Sequence, residues 1–352
     1  MHVPSMPFRL LAVMVLLAAS ACTDVRSAGT TVRVGGEQAE GRPACPLTGK
    51  AARSEADVNR PALAVKIENS ANARPQTGLA QADLVYEEPV EGGLAWFVAV
   101  FQCSDPDLAG PVRNAHPTDA GLVAPHGPAV FAHAGATPAV IESLTSSEGV
   151  QQIDARLGGD AFQRSADRPI PHNLYVSVPK LRELAKKEAP PKPWISFRVP
   201  DDAAKTKKAT GSPSPTGRKS GTSVQFTQAG SVVRYAFDEK AGRYVRQQGT
   251  PPAPFLDEVG NPVHITNLLF LWVDIAEGET RDAAGNRTPI VALTGKGDAL
   301  LLRDGREASA SWSRESLGDP PALRDAKGRP LLLSPGNTWI HLLPKDLPVF
   351  VR

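Results

Sequence analysis

A stretch of 23 residues near the middle of the chain cannot contribute to any core. Asp201 to Ser223 reads DDAAKTKKATGSPSPTGRKSGTS, made of small, polar and basic residues with no aromatic or large aliphatic side chain. Whatever folds must therefore fold before it, after it, or by joining the segments on either side. Its basic residues Lys205, Lys207, Lys208, Arg218 and Lys219 offer contacts to anionic envelope polymers or headgroups, though a solvated linker or surface insertion explains them equally. With 41% apolar residues in 352, the flanking parts are rich enough to bury a core, and the length admits two domains.

The N-terminus reads as an export segment. Phe8 to Ala21 is apolar apart from Arg9 and Ser20, and small residues lead into Cys22. Ala18-Ala19-Ser20-Ala21-Cys22 is similar to a lipobox, with Ala19 where leucine is usual. Residues 1–21 are thus expected to be a lipoprotein signal peptide. Lipidated Cys22 would hold the chain to the outer face of the cell membrane, an extracytoplasmic location. Residues 22–59 are polar and are expected to form a flexible tether. Cys45 and Cys103 are then either partners in a disulfide favoured by an oxidising compartment or two isolated thiols.

Residues 60–200 mix strand and helix signals. Leu63–Ile67, Leu84–Glu88, Trp96–Gln102 and Ala129–His133 read as strands. Thr137-Pro138 opens a helix, and Ser177 caps another over Val178–Glu188 before Pro190-Pro191. Residues 224–352 read as β-rich. A hairpin spans Val232–Gln247, Val263–Ile275 is a long apolar strand, and Asp304-Gly305 makes a two-residue turn before Arg306–Trp312. The predicted architecture is an α+β (or α/β) N-terminal domain at 60–200, a low-complexity segment at 201–223, and a mostly antiparallel β-rich domain at 224–352.

Charge density concentrates between Arg74 and His116, where RPQTGLAQADLVYEEPVEGG and GPVRNAH flank the apolar WFVAVF. The chain resembles the YerB-like family of bacterial lipoproteins, a domain of unknown function in N- and C-terminal parts. The residues that carry the resemblance begin with Cys45-Pro46-Leu47-Thr48-Gly49, Arg74 to Gly93 and Gly110 to Arg113. They continue with His133-Ala134-Gly135, Pro171 to Tyr175, Leu293 to Gly297, and Ser334 to Ile340. The resemblance implies an exported, lipid-anchored envelope protein associated with the cell wall and without established activity. In two places this chain departs from the family pattern: Trp96 and His116 stand where arginines are usual. An anion held by those arginines in relatives would be held less well here.

Several constellations are candidates for chemistry. Arg74, Arg113, Arg164 and Arg168 sit beside turn residues and suit carboxylate or phosphate recognition. Their alternative role is to pair internally with Asp83, Glu87, Glu88 or Glu91. Gln76, His116, His133, His172 and Asn173 complete the candidate ligand-binding set with Glu87 and Glu91. A glycosidase needs two carboxyls across one bond. Glu87 and Glu91 are the pair offered, which defines a hydrolase or transferase alternative. No HExxH, CxxC, GxSxG or phosphate-loop spacing occurs, so no metal and no cofactor is expected. Trp272, Trp312 and Trp339 are either core aromatics or a platform for carbohydrate or protein. A net charge of +2 and 6% aromatic residues argue against nucleic acid. The expected character is a non-enzymatic binding or scaffold protein whose partner is a wall polymer, a muropeptide or a wall-synthesis protein.

Overall fold

The structure, a computed structural model, describes residues 43–187, 189–198, 221–228, 230–282 and 284–352. The signal segment, Cys22 and most of the low-complexity stretch lie outside the described residues. The longer strands of the two main sheets are β1 (Ala62–Ile67), β2 (Leu84–Pro89), β3 (Ala95–Phe101), β4 (Ala129–His133), β5 (Val150–Asp154), β6 (Ser223–Gln228), β7 (Ser231–Asp238), β8 (Arg243–Gly249), β9 (Asn267–Val273), β10 (Gly295–Arg303), β11 (Arg306–Arg314), β12 (Ala322–Asp325) and β13 (Thr338–Pro344), and short strands at Pro252–Pro254, His264–Ile265 and Phe350–Val351 complete the smaller sheet. The α-helices are α1 (Glu55–Asn59), α2 (Asp119–Val123), α3 (Pro138–Ser146) and α4 (Val178–Glu183).

Ten of these strands form one sheet in the order β12-β11-β10-β9-β13-β2-β3-β1-β4-β5. β13, late in the sequence, enters its middle, parallel to β9 on one side and to β2 on the other. The low-complexity stretch therefore divides the sequence but not the core, because residues before and after it hydrogen-bond within one sheet. The mixed N-terminal part and the strand-rich, mostly antiparallel C-terminal part follow the expected fold class; β13 is where strands from the two parts meet.

Strands at the centre of the sheet are buried on both faces, which explains their nearly continuous apolar runs. Every residue of β1 and β3 is buried. One face carries Leu63, Val65, Phe97, Phe270 and Trp339 against the smaller sheet of β6, β7 and β8, which supplies Val224, Phe226, Val233, Tyr235 and Tyr244. The opposite face carries Ala64, Tyr86, Val98, Leu271 and Leu342 against Leu122 and Val123 of α2 and Val140 and Leu144 of α3.

Three expectations need correction. Residues 43–59 are not tether: Leu47 is fully buried in the helix-side core, Cys45 is joined to Cys103, and Ser54 caps α1 through the Asp57 amide. The Thr48 carbonyl also accepts the Gly336 amide, so this segment is bound to the C-terminal part as well. The long apolar strand is interrupted at Thr266 and Asp274, giving β9 between a two-residue piece at 264–265 and a strand of equal length at 275–281. The helix capped by Ser177 stops at Glu183, well before the prolines.

Candidate functional site

β1, β2 and β4 point their carboxyl ends the same way, and the segment Gly110–His116 is laced across them. The Arg113 amide donates to the Lys66 carbonyl at 3.0 Å, the Ala134 amide to the Arg113 carbonyl at 2.8 Å, and the Ala115 amide to the Gly135 carbonyl at 2.8 Å. These bonds fix Arg113 and His116 over the sheet end. Glu68, just past β1, is the hub. His172 Nδ1 lies 2.9 Å from its Oε2, Ser70 Oγ donates to its Oε1 at 2.7 Å, and Arg113 Nε stands 3.6 Å away. The Arg113 guanidinium covers the Trp96 ring at 5.1 Å, and Trp96 meets the His116 ring edge-on at 5.0 Å. The two places where this chain departs from the family pattern are therefore in contact. His116 Nε2 then lies 2.8 Å from Glu91 Oε2, whose Oε1 accepts the Thr288 hydroxyl at 2.5 Å. Partial burial opposes ionisation of Glu91, but His116 and Thr288 outweigh it and hold the carboxyl down at about 2.

The remaining candidates secure loops. Arg74 donates from Nη2 to the Asn69 carbonyl at 2.7 Å, and Gln76 Nε2 to the Glu68 carbonyl at 2.9 Å. Burial and the neighbouring Arg246 charge lower Arg74 to about 10, which leaves it cationic at neutral pH. Arg168 donates to the carbonyls of Ala73 and Pro75, both at 2.6 Å. Arg164 donates to Asn173 Oδ1 at 2.7 Å, and Asn173 to the Ser165 carbonyl at 3.0 Å. His133 is buried, with Nε2 at 3.0 Å from Gln152 Oε1 and Nδ1 accepting the Gly135 amide. The structure thus brings Arg113, His116, Glu91 and His172 to one end of the sheet and leaves Arg74, Gln76, Arg168, Arg164 and Asn173 as braces around it.

Glu87 is separated from that group. On β2 successive side chains face opposite ways, so Glu87 turns to the smaller sheet and Glu88 to the helices. Glu87 is bound by Arg246 through both oxygens, Nη1 to Oε2 at 2.6 Å and Nη2 to Oε1 at 2.7 Å, with the pair fully buried. Arg246 also donates to the Tyr235 hydroxyl. The rings of Phe97, Tyr235, Phe255 and Trp339 surround its guanidinium at 5.0–5.5 Å. Burial opposes the charge on Glu87, yet Arg246 and His341 keep its carboxyl well below the usual range. Glu87 and Glu91 thus lie on opposite faces, each saturated by its own partners, and do not confront one another across a groove.

On the helix face, Lys66 is fully buried near the carboxyl end of β1 and meets Glu88, with Asp119 Oδ1 at 2.8 Å. Neither this cluster nor Arg246 is apparent from motif reading. One local signal exists for Lys66: a lysine inside a strand buried on both faces must find carboxylates.

Two open clefts lie away from these residues. One, of about 990 Å³, is lined by Lys50, Arg53, Asp83, Asp105, Arg243 and Asn337 beside the disulfide. The other, of about 690 Å³, lies at the ends of β9, β10, β11 and β13 and is lined by Trp272, Lys296, Gly297, Asp298, Trp312 and Lys345. Gly297 has to be glycine here, since a Cβ would come within 2.6 Å of both the Trp272 carbonyl and Trp312 Nε1. Trp339 is core, Trp312 is buried at the base of this cleft, and Trp272 is partly exposed in it. Lys345 reaches Asp274 at 2.6 Å, whereas Lys296 is exposed and makes no ion pair among the described residues.

Comparison with known proteins fits this architecture. Family models described as the N-terminal and C-terminal domains of a protein of unknown function (DUF3048) match residues 47–191 and 222–340. The protein named "Putative lipoprotein YerB" from Bacillus subtilis (strain 168) is 28% identical over 302 residues, covering 85% of this chain and 86% of that one. The crystal structure of the YerB protein from Bacillus subtilis superposes with a TM-score of 0.70 at 25% identity, over 88% of this chain and 100% of the other.

Proposed function

The chain belongs to the DUF3048 family, and from that starting point we propose that it is an exported, lipid-anchored binding protein of the cell envelope whose ligand is an anionic wall glycan or muropeptide. The name of its Bacillus subtilis relative supports the anchor, and the signal-like segment ending at Cys22 supports it independently. The binding reading is carried by the Trp272 cleft. A partly exposed indole offers a flat apolar face for a sugar ring, and Lys296 beside it offers charge for carboxylate or phosphate, with Lys345 able to exchange Asp274 for the ligand. Few convergent polar groups around an aromatic wall are the usual make-up of a ligand site. Glu87 and Glu91, by contrast, are held ionised by buried partners, which suits neither to donate a proton near neutrality.

The test is to titrate the purified ectodomain with defined muropeptides and anionic wall polymers, following heat of binding and product formation together. Binding without turnover is expected, weakened at least tenfold in Lys296→Ala/Lys345→Ala and nearly unchanged in Arg113→Ala. Binding that survives the double lysine variant and fails in Arg113→Ala would move the site to the sheet end, and turnover abolished by Glu91→Gln would replace the reading with an enzyme. In cells, Cys22→Ala should release the protein from the membrane fraction.

A further inference from the structure

We infer that Glu88, His116 and Asp119 form a binding site for one divalent transition-metal ion of the zinc class, with Glu91 orienting the histidine. One donor atom from each of the three residues lies within 4.8 Å of the donors of the other two, and all three residues are buried. Two further observations point to a ligand. Glu88 Oε2 and His116 Nδ1 are buried polar atoms with no hydrogen-bond partner. His116 and Glu88 are 7% and 0% exposed, so water does not satisfy these atoms from bulk.

The histidine is already arranged as a ligand. Its Nε2 lies 2.8 Å from Glu91 Oε2, so a neutral ring donates its proton there and leaves a lone pair at Nδ1. A carboxylate on one ring nitrogen with the metal on the other is the usual outer-shell arrangement of zinc histidines, fixing tautomer and ring angle. Glu91 is held in turn by Thr288.

Charge points the same way. Glu88, Asp119 and Glu91 are three carboxylates gathered around one ammonium, that of Lys66. Lys66 takes Glu88 Oε1 and Asp119 Oδ1, which leaves Glu88 Oε2 free. Arg113 does not make up the difference, because its charge is directed to Glu68 on the other side of Trp96. A divalent ion would neutralise the two negative charges that remain. One nitrogen and two carboxylate donors suit zinc, and three protein ligands leave a fourth position for water. His116 and Glu91 are the members that reach solvent, with 9% and 15% of their side chains exposed, and they mark the entry.

The site is independent of the Trp272 cleft and stands whether or not that cleft binds glycan. It is tested on tag-free protein stripped with chelator and titrated with Zn²⁺, with Co²⁺ as the spectroscopic probe. About one equivalent should bind, Co²⁺ should give visible d–d absorption, and it should quench indole fluorescence through Trp96, which touches the His116 ring. His116→Gln should abolish stoichiometric binding while leaving the circular dichroism spectrum and melting curve cooperative. Glu91→Gln should weaken it by about 10- to 100-fold without abolishing it, the range seen for outer-shell partners. Failure of the parent protein to retain close to one equivalent, or undiminished binding by folded His116→Gln, overturns the proposal.

Discussion

Replacing Glu87 with glutamine should be among the most damaging single changes available in this molecule. The substitution removes the counter-charge from Arg246 while leaving the guanidinium where it is, 1% exposed and enclosed by four aromatic rings. Two hydrogen bonds of 2.6 and 2.7 Å change from charge-assisted to neutral or are lost. Breaking a buried pair by removing one partner costs about 3–5 kcal/mol, because the other charge is left uncompensated in a low dielectric. Arg246→Met should cost a similar amount by stranding the Glu87 carboxylate. The double variant Glu87→Leu/Arg246→Met removes both desolvation penalties and should recover most of the loss, since apolar replacement of a whole buried pair is often neutral or stabilising by about 1–4 kcal/mol. Urea unfolding followed by circular dichroism and by fluorescence of Trp339, whose ring lies 5.2 Å from the guanidinium, measures all four corners of the cycle. With slopes of roughly 1–3 kcal/mol/M, each single variant should lower the midpoint by at least about 1 M. Single costs below about 1 kcal/mol, or a double variant as unstable as the sum of the singles, would refute the claim that this bridge locks β8 of the smaller sheet onto β2.

Two other outcomes follow from the buried groups and the disulfide. Closing a loop between residues 58 apart in sequence should contribute about 4 kcal/mol by chain entropy; Cys103→Ser should lower the urea midpoint and open residues 43–59 to limited proteolysis, and no change on reduction would contradict this. Burial, reinforced by the Arg314 charge, pushes His126 from 6.5 down to about 3. Unfolding therefore takes up a proton between those values, and stability falls as pH drops from about 6.5 towards 3, by up to about 1.4 kcal/mol per pH unit. His341 is shifted the same way by burial and adds to the slope. His126→Gln should flatten the curve of melting temperature against pH, and parallel curves for parent and variant would show that His126 is not its source.

Local structure was legible wherever a local rule governs it. Ala129–His133 forms the strand its apolar run predicts. Asp304-Gly305 turns β10 into β11 with both residues at positive φ, 53° and 67°, as a two-residue hairpin requires. Thr137-Pro138 starts α3. What escaped detection is non-local. The alternation of Thr338–Leu343 indicates a strand but carries no information that its neighbours are β2 and β9. The polar composition before Asn59 reads as tether because Cys45 and Leu47 are too few to set a period, yet one disulfide and one core position suffice to fix that segment. At the candidate site, Arg113, His172, His116 and Glu91 were visible as chemistry-bearing types beside turns. Glu68, Asp119 and Arg246 were not, because a charged residue inside or beside an apolar run looks like an edge position until its partner is known. The alternative role for Arg74, Arg113, Arg164 and Arg168, pairing with Asp83, Glu87, Glu88 or Glu91, names acids that are all bound internally but by other groups: backbone amides take Asp83, Arg246 takes Glu87, Lys66 takes Glu88, and His116 takes Glu91.

The position of β13 bears on how such a chain can be made. Without β13, β2 and β9 would each keep one hydrogen-bonding edge bare. Both wait for Thr338–Pro344, which pairs with the two at once. Until then the molecule presents two apolar strand edges of the kind that recruit other chains. The two matched family regions are thus halves of one closure rather than modules that mature in turn. Neither part can close the large sheet until Thr338–Pro344 joins β2 and β9.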